Sequence, residues 1–265
     1  MVFRNILLSA IMVGLISGAL YGIFQHLQIS PIIYAAEEFE VAEVSAPVVA
    51  VAVVEASVIE THSHGVESHG SDSHGSHHHD EEAWGPEDGF ERIAYTIGAD
   101  VAVGIAFALF MISFMALHNL KASKPKVGAL SGAAWGIAAL MTFFVAPALF
   151  GLHPEVPGTE AAVLQNRQGW WLLCAVLTAC GIAILYYAPM RFKLVGGVVA
   201  LTPHLIGAPM PEQHGFANTD VAAVQALTEL ASQFYLMTSV GMILFFVVLG
   251  VMSGGVVNRF VRLSA

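Results

Sequence analysis

His62, His64, His69, His74, His77, His78 and His79 fall within one stretch, THSHGVESHGSDSHGSHHHDEE, from Thr61 to Glu82. Imidazole is mostly neutral at pH 7, which leaves a nitrogen lone pair free. It suits borderline divalent ions such as Co, Ni, Zn and Cu. Pairs such as His62 and His64, and the run 77–79, are close enough to chelate after modest chain folding. Asp72, Asp80, Glu81 and Glu82 add oxygen donors and a negative field that concentrates cations. The intervening Gly and Ser predict a segment with no helix or strand face. Its metal sites should be weak, multiple and exchanging, which suits capture and hand-over. A structural zinc site needs tight C-x-x-C or spaced Cys/His pairs, and none is present. The competing reading is a solvated, histidine-biased linker.

A second group of polar residues lies beside or within apolar runs. His26 follows the first run, Asp100 sits inside the second, and His204 lies between Pro203 and Pro209. A carboxylate in a membrane helix costs about 2.5–3.5 kcal/mol at the bilayer centre and less toward its edge, so Asp100 calls for a partner or a pathway. The three could line one outward vestibule. Asp100 could instead reach headgroups or Arg92, and His204 could bond a carbonyl freed by its prolines. In LHPEVPGTEAAVLQNRQGWW, His153, Glu155 and Glu160 could bind a cation. A fixed turn with Arg167 paired to one of the acids, and Trp170 and Trp171 as interface anchors, is the alternative. His118 reads as interfacial. Asp88 and Glu91 are expected to cap the helix that follows them.

These residues must be held by the apolar remainder of the chain. Of 265 residues 56% are hydrophobic and only 11% charged, and mean hydropathy is +0.70. A soluble domain has about 25% charged residues, so the composition predicts an all-α integral membrane protein. A membrane helix needs about 20 apolar residues. Six runs approach this: 6–24, 93–117, 127–149, 170–190, 194–209 and 234–257. The first is too long for the core of a signal peptide and is expected to stay as a membrane helix. The fifth is short, carries two prolines, and could be partly re-entrant. The predicted organisation is a first transmembrane helix over 1–29, an acidic His-rich extracytoplasmic loop over 30–92, a five-helix core over 93–257 and a tail over 258–265. Within the loop, APVVAVAVV (46–54) is too short to span.

With six crossings the termini share a side. Arg4, Lys121, Lys124, Lys126, Arg191, Lys193, Arg259 and Arg262 fall on that side, and only Arg92 and Arg167 fall opposite. The positive-inside bias therefore puts both termini in the cytoplasm of a cell inner (plasma) membrane. Of the 20 acids, 19 fall in the opposite loops, and Asp100 is the other.

Several functions are disfavoured. There is no G-x-x-x-x-G-K-[ST] loop for nucleotide phosphates, no G-x-S-x-G, and no basic patch for nucleic acid. Cys174 and Cys180 lie about two helical turns apart, too far to bridge. No catalytic constellation is visible, so an enzyme is not expected.

Four short motifs, WGPEDGFER (84–92), HPEVPG (153–158), RQGWW (167–171) and PHLIGAP (203–209), follow the His-rich stretch in order. Together they resemble the CbtA family of proposed cobalt transporter subunits, over nearly the whole chain. The resemblance implies five or six spans, Co2+ as the transported ion, and pairing with a small one-span, histidine-containing CbtB subunit. It also singles out Glu87, Asp88, His153, Glu155, Arg167 and His204. Imidazole affinity alone would leave Ni2+ or Zn2+ open. The expected function is a membrane component of a divalent-metal uptake system. The His loop would capture the ion, and His204 with Asp100 or His153 would receive it. The alternative is a non-transporting metal sensor or assembly factor.

Overall fold

The computed structural model describes residues 2–44, 86–120, 126–149, 151–212 and 214–261. The seven clustered histidines and segment 46–54 lie outside these residues. The described part is helical: α1 (Val2–Phe24), a π-helical turn (Gln25–Ile29), α2 (Ser30–Val44), α3 (Phe90–Asn119), α4 (Ala129–Leu140), a second π turn (Met141–Val145), α5 (Ala146–Leu149), α6 (Leu164–Tyr187), a 3-10 turn (Met190–Phe192), α7 (Lys193–Ile206) and α8 (Val221–Phe260).

Among the described residues five helices are long and apolar enough to cross a membrane: Val2–Phe39, Phe90–Asn119, Ala129–Leu149, Leu164–Tyr187 and Val221–Phe260. The expected fifth span is a helix of 14 residues, α7. At about 1.5 Å per residue it reaches about 21 Å, short of a hydrocarbon core of about 30 Å. It stops before Pro209 because Gly207 adopts φ 88° and ψ 145°, a region essentially closed to other residues. By contrast, α8 has 40 residues, about 60 Å at about 1.5 Å per residue, about twice the length a hydrocarbon core needs.

The first helix also outruns its expected boundary at residue 29. Ser30-Pro31 reads as a helix stop, yet the chain stays helical to Val44. Proline lacks a donor and its ring clashes with the carbonyl four residues back, here that of Leu27. Leu27 lies in the first π turn, where the ladder is widened by one residue and Ser30 N bonds to Gln25 O. The second π turn stands in the same relation to Pro147, whose clashing carbonyl would be that of Phe143. Both prolines are thus accommodated by a bulge placed just ahead of them.

Three antiparallel helix pairs make up the bundle. Glycines let α1 approach α3 at Gly18 and Gly104, α4 approach α8 at Gly132 and Gly250, and α6 approach α7 at Gly181 and Gly196. Small residues are the usual means of close packing in lipid, where Leu gains nothing by leaving hydrocarbon for hydrocarbon. Between the first two pairs lies a core of Val13, Ile112, Met115, Leu249 and Val257, with Phe245 and Phe246. Leu8, Leu15, Phe110, Phe114, Val176, Leu201 and Leu244 point outward and exposed, as a lipid-facing surface requires. Because α7 runs back along α6, Trp170 Nε1 donates to Pro203 O at 3.3 Å, bringing the start of one to the end of the other. At the far end, Asn5 Nδ2 donates to Phe260 O at 3.0 Å, so α1 begins where α8 ends.

Beyond the bundle, α2 and the first turns of α8 pack through Ile32, Ala36 and Leu227 onto Val156. Arg92 fixes this region. Its guanidinium bonds to both Glu37 oxygens at 2.5 and 3.1 Å and to Asp88 at 3.0 Å, and lies 4.6 Å from the Tyr34 ring centroid. Asp88 is therefore an ion-pair partner and not the cap expected of it. The N-cap is Gly89, with no side-chain hydrogen bond. Arg92 is also committed away from Asp100.

Candidate functional site

Two loops meet at the end of the bundle that carries Arg92. Glu160 N donates to Gly215 O at 3.0 Å and Ala217 N to Gly158 O at 2.9 Å, and Thr159 bridges Phe216 in antiparallel fashion. The pairing brings His153 and His214 to one outer pocket of 460 Å³, which Glu155, Glu160 and Arg167 also line. Arg167 Nη2 bonds to Glu155 Oε2 at 2.6 Å, both side chains being about three-quarters buried. That carboxylate is matched by a bidentate-capable cation, and a metal ion would have to displace it. The Trp170 ring is buried at 6% exposure, so it is a packing residue and not the interface anchor expected.

His153 also lines a second cavity of 430 Å³ that descends between α1, α3, α8 and the second π turn. Its floor is aromatic: Phe107, Phe143, Phe245 and Phe246, with Phe107 edge-on to both Phe143 and Phe246. Its polar wall is Tyr21 and Gln25 from the first helix, Asp100 from α3 and Thr238 from α8. Both π turns contribute, through Gln25 and through Phe143 and Phe144, and such bulges often mark functional sites. Gly22 leaves the room that Asp100 occupies, since a Cβ there would lie 3.1 Å from Asp100 Oδ2. Asp100 Oδ2 is buried without a hydrogen-bond partner among the described residues, and so is Thr238 Oγ1. A buried polar atom left unbonded is costly, and the two residues that carry these atoms both line the one cavity.

The site residues expected from sequence thus separate. Asp100 and His153 share the inner cavity, and His153 and Glu155 share the outer pocket. His26, within the first π turn, and His204 line neither. The His204 ring packs edge-on against Trp170, centroids 6.0 Å apart. No group of three or more His, Cys, Asp or Glu is arranged to hold a metal ion among the described residues. Sequence reading missed His214, a loop histidine with no motif around it, and Thr238, one hydroxyl in a long apolar helix. It also placed His118 at the interface. That ring is buried at 4% exposure, shares a 2.7 Å hydrogen bond with Tyr187 Oη, and packs edge-on to Trp135. It ties α3, α4 and α6 together at the end opposite His153. Cys174 is buried, Cys180 is exposed, and both are free thiols.

A bundle of long apolar helices is what a multi-pass membrane protein requires, and here it holds a cavity that Asp100 lines. Over residues 3–258 the chain matches the family described as probable cobalt transporter subunit (CbtA). It belongs to that family. No curated protein and no solved structure matches it.

Proposed function

We propose that this chain is the membrane-embedded component of a Co2+ uptake system and that the inner cavity is the ion's way into the bilayer. The observation that carries this reading is the cavity lined by His153 and by Asp100, one of whose oxygens has no partner among the described residues. The histidine-rich segment 61–82 gathers the ion outside. His153, at the junction of the outer pocket and the inner cavity, receives it as a neutral imidazole ligand, and Asp100 supplies negative charge further in. Cobalt is the ion the family description names. His204 is left with a packing role at the α6–α7 contact.

In this reading the cavity faces the extracytoplasmic side of the plasma membrane. The end where Asn5 meets Phe260 carries Arg4 and Arg259 and lies in the cytoplasm, in accord with the positive-inside bias. As one subunit of a transport system the chain works with others, and a single-span, histidine-bearing CbtB-like protein is the partner we propose.

The test is uptake of radioactive cobalt by cells and by proteoliposomes, with Asp100→Asn compared at equal membrane abundance. Asn keeps the size and removes the charge. We expect uptake to fall at least about tenfold, the loss of one charge-assisted ligand. Undiminished uptake by the variant refutes the pathway. Cobalt binding by the intact protein without flux, alone or with its partner, replaces it with the sensor reading.

A further inference from the structure

The donors inside the cavity do not match a borderline divalent ion at rest. Below His153 the polar groups are a carboxylate, a hydroxyl, an amide and a phenol, from Asp100, Thr238, Gln25 and Tyr21. Oxygen donors suit hard cations, whereas Co2+ favours sites with nitrogen. The charge count points the same way. Among the described residues Asp100 is the sole carboxylate on that cavity, and no Lys or Arg lines it. A lodged dication would leave a net positive charge against Phe107, Phe143, Phe245 and Phe246. A monovalent cation would leave none, and an uncompensated charge in apolar surroundings is the costlier state.

Thr238 supplies an independent observation. Other hydroxyls in these helices return to the carbonyl four residues back: Thr96 to Arg92, Thr142 to Ala138, Thr202 to Val198, Thr228 to Val224 and Ser239 to Tyr235, at 2.7–2.9 Å. That local bond is the ordinary fate of a helical threonine in lipid. Thr238 is 92% buried, lines the cavity, and does not make it. Ser253 also lacks a hydroxyl partner among the described residues, but it lines neither cavity. Asp100 and Thr238, each with one orphaned atom, line one space from different helices, α3 and α8, which share it with the widened turn at Gln25.

We propose that this cavity binds an alkali cation, held by the Asp100 carboxylate and the Thr238 hydroxyl with Gln25 and Tyr21 as neighbouring oxygen donors. The binding claim stands on the cavity alone. Its role, as the resting occupant that an incoming Co2+ must displace, rests on the transport reading above.

The probe is radioactive sodium, bound at equilibrium to the purified full chain in lipid nanodiscs with no cobalt present. Unlabelled sodium, potassium and choline chlorides are the competitors. We expect saturable binding displaced by sodium or potassium but not by choline. Asp100→Asn should abolish it. Thr238→Val, which keeps the shape and removes one ligand, should weaken it roughly tenfold. Helicity and elution volume confirm that both variants are folded. Absence of saturable binding overturns the proposal, as does equal competition by choline or unchanged binding by both variants. A cavity that responds to pH but not to sodium also overturns it, because Asp100 would then be holding a proton. Cobalt uptake without sodium binding sinks this inference alone, and sodium binding without cobalt uptake sinks the transport reading alone.

Discussion

Two glycines in the last helix should respond oppositely to the same substitution. A Cβ on Gly250 would run into the Gly132 carbonyl and lie 2.7 Å from Gly136 Cα, both in α4. To regain ordinary contact at 3.4 Å from that carbonyl the two helices must part by about 1 Å. Parting by that amount forfeits roughly a quarter to a half of the dispersion at the affected contacts, and overpacking of this kind costs about 1–3 kcal/mol. Gly255, five residues on, would meet only Ala129 Cβ, at 3.9 Å. Ala is a better helix residue than Gly by up to about 1 kcal/mol, so Gly255→Ala should be neutral or stabilising. Thermal unfolding in detergent, followed by helicity and by dye labelling of buried Cys174, separates the two. Gly250→Ala should melt several degrees lower, and Gly255→Ala no lower than the parent. Equal melting of the two variants would refute close packing of α4 on α8.

Three further outcomes follow from other contacts. Glu37→Gln breaks the two-pronged bond to Arg92; both side chains are about a third exposed, so the loss should be about 0.5–1 kcal/mol and should shrink in high salt. A salt-independent loss would show that the pair acts through packing. Gly207→Ala forces a side chain into φ 88° and should cost about 1–3 kcal/mol, seen as a lower melting temperature; an unchanged value would mean that α7 does not end there. Deleting 61–82 should raise the cobalt concentration for half-maximal uptake and leave the maximal rate intact, and a reduced maximal rate would move that segment from capture into the pathway.

Asp100 was visible in the sequence because a lone charge in an apolar run has few bland explanations. The helical class and most of the long runs were equally plain, since they rest on composition and length alone. The Arg167–Glu155 pair was legible because its two residues lie 12 apart in one loop. What could not be read was which distant residues face each other. Asp100 and His153 line one cavity where α3 meets the second π turn through Phe107 and Phe143, and no local pattern encodes that. His214 joins His153 only because two loops pair backbone to backbone, a bond indifferent to side-chain type. Thr238 looks like any back-bonded threonine until its environment is known. The first helix, expected to end at residue 29, runs on to Val44, because the bulge that accommodates Pro31 has no sequence signature of its own.

The bond from Asn5 to Phe260 has a consequence for how the chain can be rewired. The first and last turns of the bundle are near enough for a short bridging peptide to join them. New termini could then be opened between Val44 and Pro86, whose flanking helices are clasped by Glu37 and Arg92. Such a circular permutant would keep every helix–helix contact while sending both free ends to the opposite face of the membrane. A permutant that folds would show that the bundle is specified by which helices lie side by side, whichever is made first.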